Sequence, residues 1–412
     1  MASSTPRSSR VEIAAPAGSL EKLMFAVRYG AHSVYFGGDS FNLREGADNF
    51  SIDDIAAGAA FCAAHGAKST FLLNAFLHEA DVPAARDYLA AVRDIPFDAV
   101  MISDPGMLAL VRESGLACPI HLSTQMSTLN HLAVSFWERA GISRIVLARE
   151  TALEEIRMIR AHTAAEIEIF VHGALCIAYS GRCLLSRYLS GRDANQGACA
   201  HPCRWNYSLV EEKRPGAPMD MIEYDRGTTI LSSKDLCLIE RLPEYVAAGV
   251  NAFKIEGRMK SVYYTANTTR VYRHALDTII DGGPYEERLP FWRRELDLVN
   301  HRPYTDDLFH EFDSLGFVDV PYVKKALFLG YVDGDVSGSA ASVRVFNPIH
   351  RGETIEAIVP IRGHAVDDGR FVVDEILENG TIVDMARPGK PCTIRFDRPV
   401  KSDAIFRRLI TT

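Results

Sequence analysis

The sequence predicts an α/β fold: a (β/α)8 barrel of the TIM type, followed by a small all-β barrel. Three observations predict it. Between residues 11 and 256, eight short apolar, β-rich runs alternate with amphipathic stretches of helical period. Strands alternating with helices of this length make parallel βα units. No GxGxxG follows the first run, which makes an open dinucleotide-binding sheet the weaker alternative. From about Lys325 the helical period stops, and β-branched residues are broken by turn pairs such as Asp333-Gly334, Asp368-Gly369 and Asn379-Gly380, the pattern of a small antiparallel barrel.

The apolar runs lie at 11–15, 33–37, 68–74, 97–103, 118–123, 144–148, 166–171 and 251–256. Helical stretches such as 20–30, 52–66, 84–95, 153–163 and 237–249 separate them. Residues 265–327 read as connecting helices, with a Pro/Gly turn at 282–284. The expected organisation is a polar, disordered tail at 1–10, a barrel at 11–324 carrying a cysteine-rich segment at 174–205, and a β-barrel at 325–412.

Of the 412 residues 47% are hydrophobic, enough for a sizeable core, and the net charge of −8 argues against a general nucleic-acid binder. A local basic patch is still allowed. The first ten residues lack the apolar stretch of a secretory signal, and no apolar run reaches the ~18 residues of a membrane helix. The expectation is a cytoplasmic protein.

A barrel of this kind carries its site at the carboxyl ends of the strands. The polar residues falling there are Asn42 and Arg44, Asn74, Ser103 with Asp104, Ser123 to Gln125, Arg149 with Glu150, His172, and Glu256 with Arg258. Each taken singly also suits a helix cap or a loop hydrogen bond. Four of the eight cysteines follow the seventh run: Cys176, Cys183, Cys199 and Cys203, separated by six, fifteen and three residues. The segment between them has little strand or helical period and needs something to hold it. An iron–sulfur cluster tolerates such loose spacing. Structural zinc prefers paired knuckles, of which only Cys199 and Cys203 make one. Disulfides suit an exported chain, and free buried thiols are the remaining reading. Cys237 is an alternative fourth ligand. Cys62, Cys118 and Cys392 read as packing positions.

The run from Glu168 to Trp205 resembles the signature of the collagenase-like peptidase family, number thirty-two of the unassigned-mechanism class. Glu168, Phe170, Gly173, Ala174, Cys176, Gly181, Cys183 and Ser186 occupy its positions. Matching stretches also occur at 15–23, 34–38, 232–240 and 253–261, so the resemblance covers nearly the whole chain from about Glu12. It implies a barrel, and an accessory β-domain like that of longer members. It offers two activities. The peptidase activity in the family name finds no HExxH and no GxSxG here. A Cys–His pair, from Cys176 with His172 or Cys203 with His201, is all that supports it. The branch of this length and domain content instead hydroxylates tRNA without oxygen, forming 5-hydroxyuridine at the anticodon wobble position in a prephenate-linked reaction.

That second activity implies a [4Fe–4S] cluster on Cys176, Cys183, Cys199 and Cys203 (or Cys237), since side chains alone supply no such redox chemistry. It implies tRNA and a small dicarboxylate such as prephenate as partners. Arg44, Arg149, Arg182 and Arg258 are candidates to bind carboxylates, with Asn74 and Gln125 as further substrate contacts. Phe36, Phe76 and Tyr179 are candidates to stack a base. His172, Glu150 and Glu256 are the candidate catalytic groups. A third reading is a zinc-stabilised RNA-binding protein without catalysis.

Overall fold

The computed structural model describes residues 11–43, 48–176, 182–205, 222–224, 227–229, 234–306 and 323–410. The expected tail at 1–10, and Arg44, Tyr179 and Gly181, lie outside the described residues. By contacts the chain forms two compact units. The first holds residues 1–27, 31–260 and 302–321; the second holds 28–30, 261–301 and 322–412.

The first unit is the (β/α)8 barrel. In chain order run β1 (Glu12–Pro16), α1 (Leu20–Arg28), β2 (Ser33–Phe36), α2 (Ile52–Ala64), β3 (Lys68–Leu73), α3 (Val82–Val92), β4 (Ala99–Ile102), α4 (Pro105–Ser114), β5 (Ile120–Leu122), α5 (His131–Arg139), β6 (Arg144–Val146), α6 (Leu153–Arg160) and β7 (Glu166–Ala174). The cysteine segment follows, with α7 (Leu185–Ser190), the hairpin β8 (Ile222–Tyr224) and β9 (Gly227–Thr229), then β10 (Asp235–Cys237) and α8 (Leu242–Ala247). β11 (Ala252–Ile255) closes the barrel, lying parallel to β7 on one side and to β1 on the other. β10 turns back antiparallel along the carboxyl half of β7, setting Cys237 opposite His172, and β12 (Tyr304–Thr305) extends β10.

Local chemistry sets the helix starts. Ser51 and Asp54 make a reciprocal capping box on α2. Asp104 accepts from the Gly106 and Met107 amides at 2.6 and 3.1 Å, with Pro105 in the first turn of α4. Asp104 therefore caps a helix. Gly115, at φ 79°, ends α4 in the left-handed region.

The barrel interior holds charge as well as carbon. Glu12, Arg144, Glu168 and Lys254 are all at most 5% exposed. Lys254 Nζ lies 2.8 Å from Glu168, while Arg144 reaches Glu12 at 2.8 Å, Glu166 at 2.5 Å and Glu168 at 3.4 Å. Lys68 also pairs with Glu12. Burial pushes the Glu168 carboxyl up, but Lys254 and Arg144 outweigh it and bring the pKa to about 2. Burial lowers His121 to about 3, with Arg144 acting in the same direction.

The second unit contains α9 (Val262–Ile280), α10 (Tyr285–Asp297) and β13 (Ala326–Ser337), β14 (Ala340–Val345), β15 (Ile349–His350), β16 (Thr354–Ile358), β17 (Gly369–Glu378), β18 (Thr381–Val383), β19 (Met385–Ala386), β20 (Cys392–Phe396) and β21 (Ile405–Leu409). Six antiparallel strands close in the order β16, β21, β13, β14, β20, β17 and back to β16. Leu329, Val343, Ile355, Val373, Ile394 and Phe406 fill this barrel. Glu295 of α10, fully buried, binds Arg270 of α9 at 2.6 Å and Arg407 of β21 at 2.7 Å. Arg270 also reaches Asp368 at 2.7 Å.

No helix among the described residues is long and apolar enough to cross a membrane.

Candidate functional site

Because the eight barrel strands are parallel, their carboxyl ends share one face. Asn74, Ser103 and Ser123 directly follow β3, β4 and β5, and Gln125 sits in the one-turn helix Thr124–Met126. These four are 7%, 0%, 4% and 2% exposed. Gln125 Oε1 accepts from Ser103 Oγ at 2.7 Å, Ser123 Oγ at 3.2 Å and Asn74 Nδ2 at 3.3 Å. The remaining atoms of the two carboxamides, Asn74 Oδ1 and Gln125 Nε2, are buried and have no hydrogen-bond partner among the described residues.

Beside this cluster, Arg258 donates to Asn42 Oδ1 at 2.9 Å and Asn49 Oδ1 at 2.8 Å, and Asn42 donates to the Gly38 carbonyl at 2.6 Å. The Gly-Gly pair after β2 makes room for this. A Cβ on Gly37 would meet Arg258 and Asn42 at 3.0 Å, and one on Gly38 would meet Tyr88 Oη at 1.8 Å. Arg258 thus helps to fix the loop after β2.

His172 is 1% exposed, with its Nε2 3.5 Å from Tyr304 Oη. The Glu256 amide donates to the His172 carbonyl at 2.8 Å. Tyr35 Oη donates to the Ile255 carbonyl at 2.6 Å and lies 3.5 Å from Glu256 Oε2. The Arg149 guanidinium stacks 4.1 Å from the Phe170 ring centre, and Arg149 and Glu150 are both half-buried.

The cysteine segment is fastened over these strand ends. Arg182 Nε donates to the Gln125 carbonyl at 2.7 Å, and its guanidinium lies 5.7 Å from the Phe76 ring. The Phe76 amide donates to the Asn195 carbonyl at 3.1 Å, and Gln196 Nε2 to Asp81 at 3.3 Å. Gly197, at φ 100°, passes so close to Asn42 that a Cβ would lie 2.4 Å from its carbonyl oxygen. Within the segment, Asn195 brackets Cys183 with two hydrogen bonds to its backbone, and Ser186 Oγ accepts from the Ala200 amide at 3.0 Å.

All eight cysteines are free thiols. Cys176 is exposed, and Cys183, Cys199, Cys203 and Cys237 are half-buried. The His201 amide donates to Cys199 Sγ at 3.4 Å. Cys62 and Cys392 are buried, and burial pushes their thiols up to about 12 and about 11. Cys118, expected to pack, is half-buried. The donor chemistry of the segment suits a thiolate-bound metal group. Among the described residues, no three His, Cys, Asp or Glu side chains converge as a metal site.

The structure therefore brings Asn74 and Gln125 into contact and joins Arg182 to Gln125 through the backbone. It engages Arg258 with two asparagines. The sequence reading missed Asn49, Asn195 and Tyr304, all in stretches without period. It also missed the buried charge network, although charged residues at inward positions of Glu12, Arg144, Glu168 and Lys254 were a usable signal: such charges need each other.

A family model described as Peptidase family U32 matches residues 18–315. The chain is 35% identical to "tRNA hydroxylation protein P1" of Bacillus subtilis, over 96% of this chain and 94% of that protein. It is 34% identical to "23S rRNA 5-hydroxycytidine C2501 synthase" of Escherichia coli, over 86% of this chain and 53% of that protein. It is 31% identical to "Collagenase" of Porphyromonas gingivalis, over 96% and 97%.

Proposed function

The chain belongs to peptidase family U32, and on that footing we propose that it is a cytoplasmic RNA-modifying enzyme that hydroxylates tRNA, forming 5-hydroxyuridine at the anticodon wobble position. The observation that carries this reading is the hydrogen bond that ties a thiol-rich segment to a neutral, buried amide cluster. Arg182 bonds the backbone of Gln125, whose side chain centres that cluster. A redox-capable donor set over a neutral amide site suits oxidation of a base better than attack on a peptide. The similarity to the tRNA hydroxylation protein, end to end, supports the same choice.

Replacing C5–H by C5–OH removes two electrons from the pyrimidine, so a redox group is required. In this reading Cys176, Cys183, Cys199 and either Cys203 or Cys237 hold a [4Fe–4S] cluster, which when bound supplies one-electron chemistry without oxygen. The chain's own residues do the rest. In this reading Arg149, half-buried and stacked on Phe170, meets one carboxylate of prephenate, the proposed co-substrate, and Arg182 the other. His172 and Glu256, joined through the backbone, move a proton in this reading, with Glu150 as the third candidate group. Asn74 and Gln125 hold the base.

The test is nucleoside mass spectrometry of tRNA from a deletion strain, complemented by wild type or by Cys176→Ala/Cys183→Ala. Loss of 5-hydroxyuridine restored only by wild type supports the reading. Unchanged tRNA in the deletion strain overturns it. Iron and sulfide on anaerobically purified protein, about four of each per chain and lost in the double variant, test the cluster separately; zinc in their place refutes it. The collagenase relative keeps hydrolysis as the second reading, testable with gelatin and the same thiol variants.

A further inference from the structure

We infer that Asn74 and Gln125 form a base-reading pair that recognises the imide edge of a flipped-out uracil, its N3–H and an adjacent carbonyl. This rests on the RNA-hydroxylating reading above and specifies how that site selects its base.

The argument starts from hydrogen-bond arithmetic. Each carboxamide carries one acceptor and one donor group. Asn74 Nδ2 and Gln125 Oε1 satisfy each other at 3.3 Å, which leaves Asn74 Oδ1 and Gln125 Nε2 without a partner among the described residues. Both residues are more than nine-tenths buried, so unmatched polar atoms here are costly. What satisfies both must offer a donor beside an acceptor. A lactam or imide edge does so in one plane.

The pair is preorganised for this. Two serine hydroxyls, Ser103 and Ser123, also bond Gln125 Oε1, so its amide does not rotate to suit a different ligand. The cluster is also uncharged: Asn, Gln and two Ser. A dicarboxylate would find no cation among these four, whereas a neutral base edge is matched. Phe76 lies two residues beyond Asn74, its amide held by Asn195 and its ring near Arg182, which bonds the Gln125 carbonyl; in this inference it stacks on the unpaired base.

The test uses the full chain purified without oxygen and a synthetic anticodon stem-loop carrying uridine or N3-methyluridine at the wobble position. Binding is read by fluorescence anisotropy. Methylation removes the N3–H and places a methyl group against Asn74 Oδ1, so wild type should bind the methylated loop about tenfold to a hundredfold more weakly. Gln125→Glu keeps an acceptor for the serines but removes the Nε2 donor, and should weaken the uridine loop by a similar factor. Asn74→Ala should bind both loops weakly and alike. Thermal melts of each variant identify misfolding; if Asn74→Ala fails to fold, Asn74→Asp replaces it. Equal affinity of wild type for both loops overturns the inference while leaving RNA binding, and the broader reading, intact. No binding of either loop by wild type overturns both.

Discussion

Glu168 stands in the family signature, where a glutamate beside reactive thiols invites a catalytic role. The structure predicts a different consequence of changing it. Its carboxylate is 2% exposed and binds Lys254, itself 4% exposed, at 2.8 Å. In Glu168→Gln, Arg144 keeps Glu12 and Glu166, so the loss falls mainly on Lys254, left charged in the barrel interior. Breaking a buried pair from one side costs about 3–5 kcal/mol. At about 2–4 °C per kcal/mol for a barrel of this size, Tm should fall by roughly 6–20 °C. The pH dependence adds a second readout. Burial already lowers the Lys254 pKa in the wild type, with Glu168 opposing the shift. Without Glu168 the folded pKa drops further below the unfolded value. The unfolded state then binds more protons across a wider range, so the variant's stability rises with pH toward that unfolded value. The deficit should therefore shrink between pH 7 and 10, and Glu168→Gln/Lys254→Met should recover much of it. Calorimetry at three pH values with all three proteins measures this. A Glu168→Gln protein that melts with wild type but has lost tRNA hydroxylation would refute the structural assignment and return Glu168 to the chemistry.

Three further outcomes follow from the same structure. Glu295→Ala removes the carboxylate shared by Arg270 and Arg407, each at most 1% exposed, and leaves Arg270 with Asp368 and Arg407 with Glu356; it should cost about 3–5 kcal/mol in urea unfolding, and a change below about 1 kcal/mol would contradict the buried triad. His121 is held neutral when folded, its pKa lowered to about 3 by burial and Arg144. The unfolded state then binds the extra proton between the ordinary histidine value and about 3, so stability is lost as pH falls through that window, by a few kcal/mol in all; urea midpoints at pH 7 and 5 should converge in His121→Gln. Gly197→Ala combines a φ of 100° with a Cβ 2.4 Å from the Asn42 carbonyl, whereas Gly191→Ala at φ 73° meets nothing within 4 Å. The first should loosen the cysteine segment and speed alkylation of Cys199 severalfold, the second should not, and equal rates would show that the Asn42 contact does not hold the segment.

The barrel strands were legible because each is a short apolar run set between helical stretches, and tight turns announced the second barrel. Residues 265–327 read as connecting helices, and nothing local could have shown that the helices at 262–297 belong to the second unit. That depends on Arg270 and Glu295 meeting Arg407, more than a hundred residues further on. At the site, position along the barrel correctly gathered Asn74, Ser103, Ser123 and Gln125, since strand ends converge whatever the side chains are. Their roles were not legible. Asp104 caps α4 and Arg258 binds two asparagines, and both uses depend on loop geometry that a periodicity argument does not see.

The signature positions divide by depth, and that division bears on how far the family name informs chemistry. Glu168 and Lys254 are spent on each other in the interior, while Gly37, Gly38 and Arg258 are spent on packing the loop after β2. These residues build a barrel that many reactions can use. What distinguishes a reaction must then lie in groups the scaffold does not consume, and among the described residues Asn74 Oδ1, Gln125 Nε2 and the thiols of the segment that Arg182 ties to Gln125 are the candidates. A hydrolase needs a nucleophile aligned with a base and a place for developing negative charge. The amide cluster supplies neither, because it is neutral and its hydroxyls are already donating to Gln125. In the function proposed above, it holds a planar, uncharged heterocycle and the cysteine segment carries the redox group. Relatives named for a collagenase and for RNA hydroxylation can thus share one barrel, and the amide cluster is where their sequences should be compared.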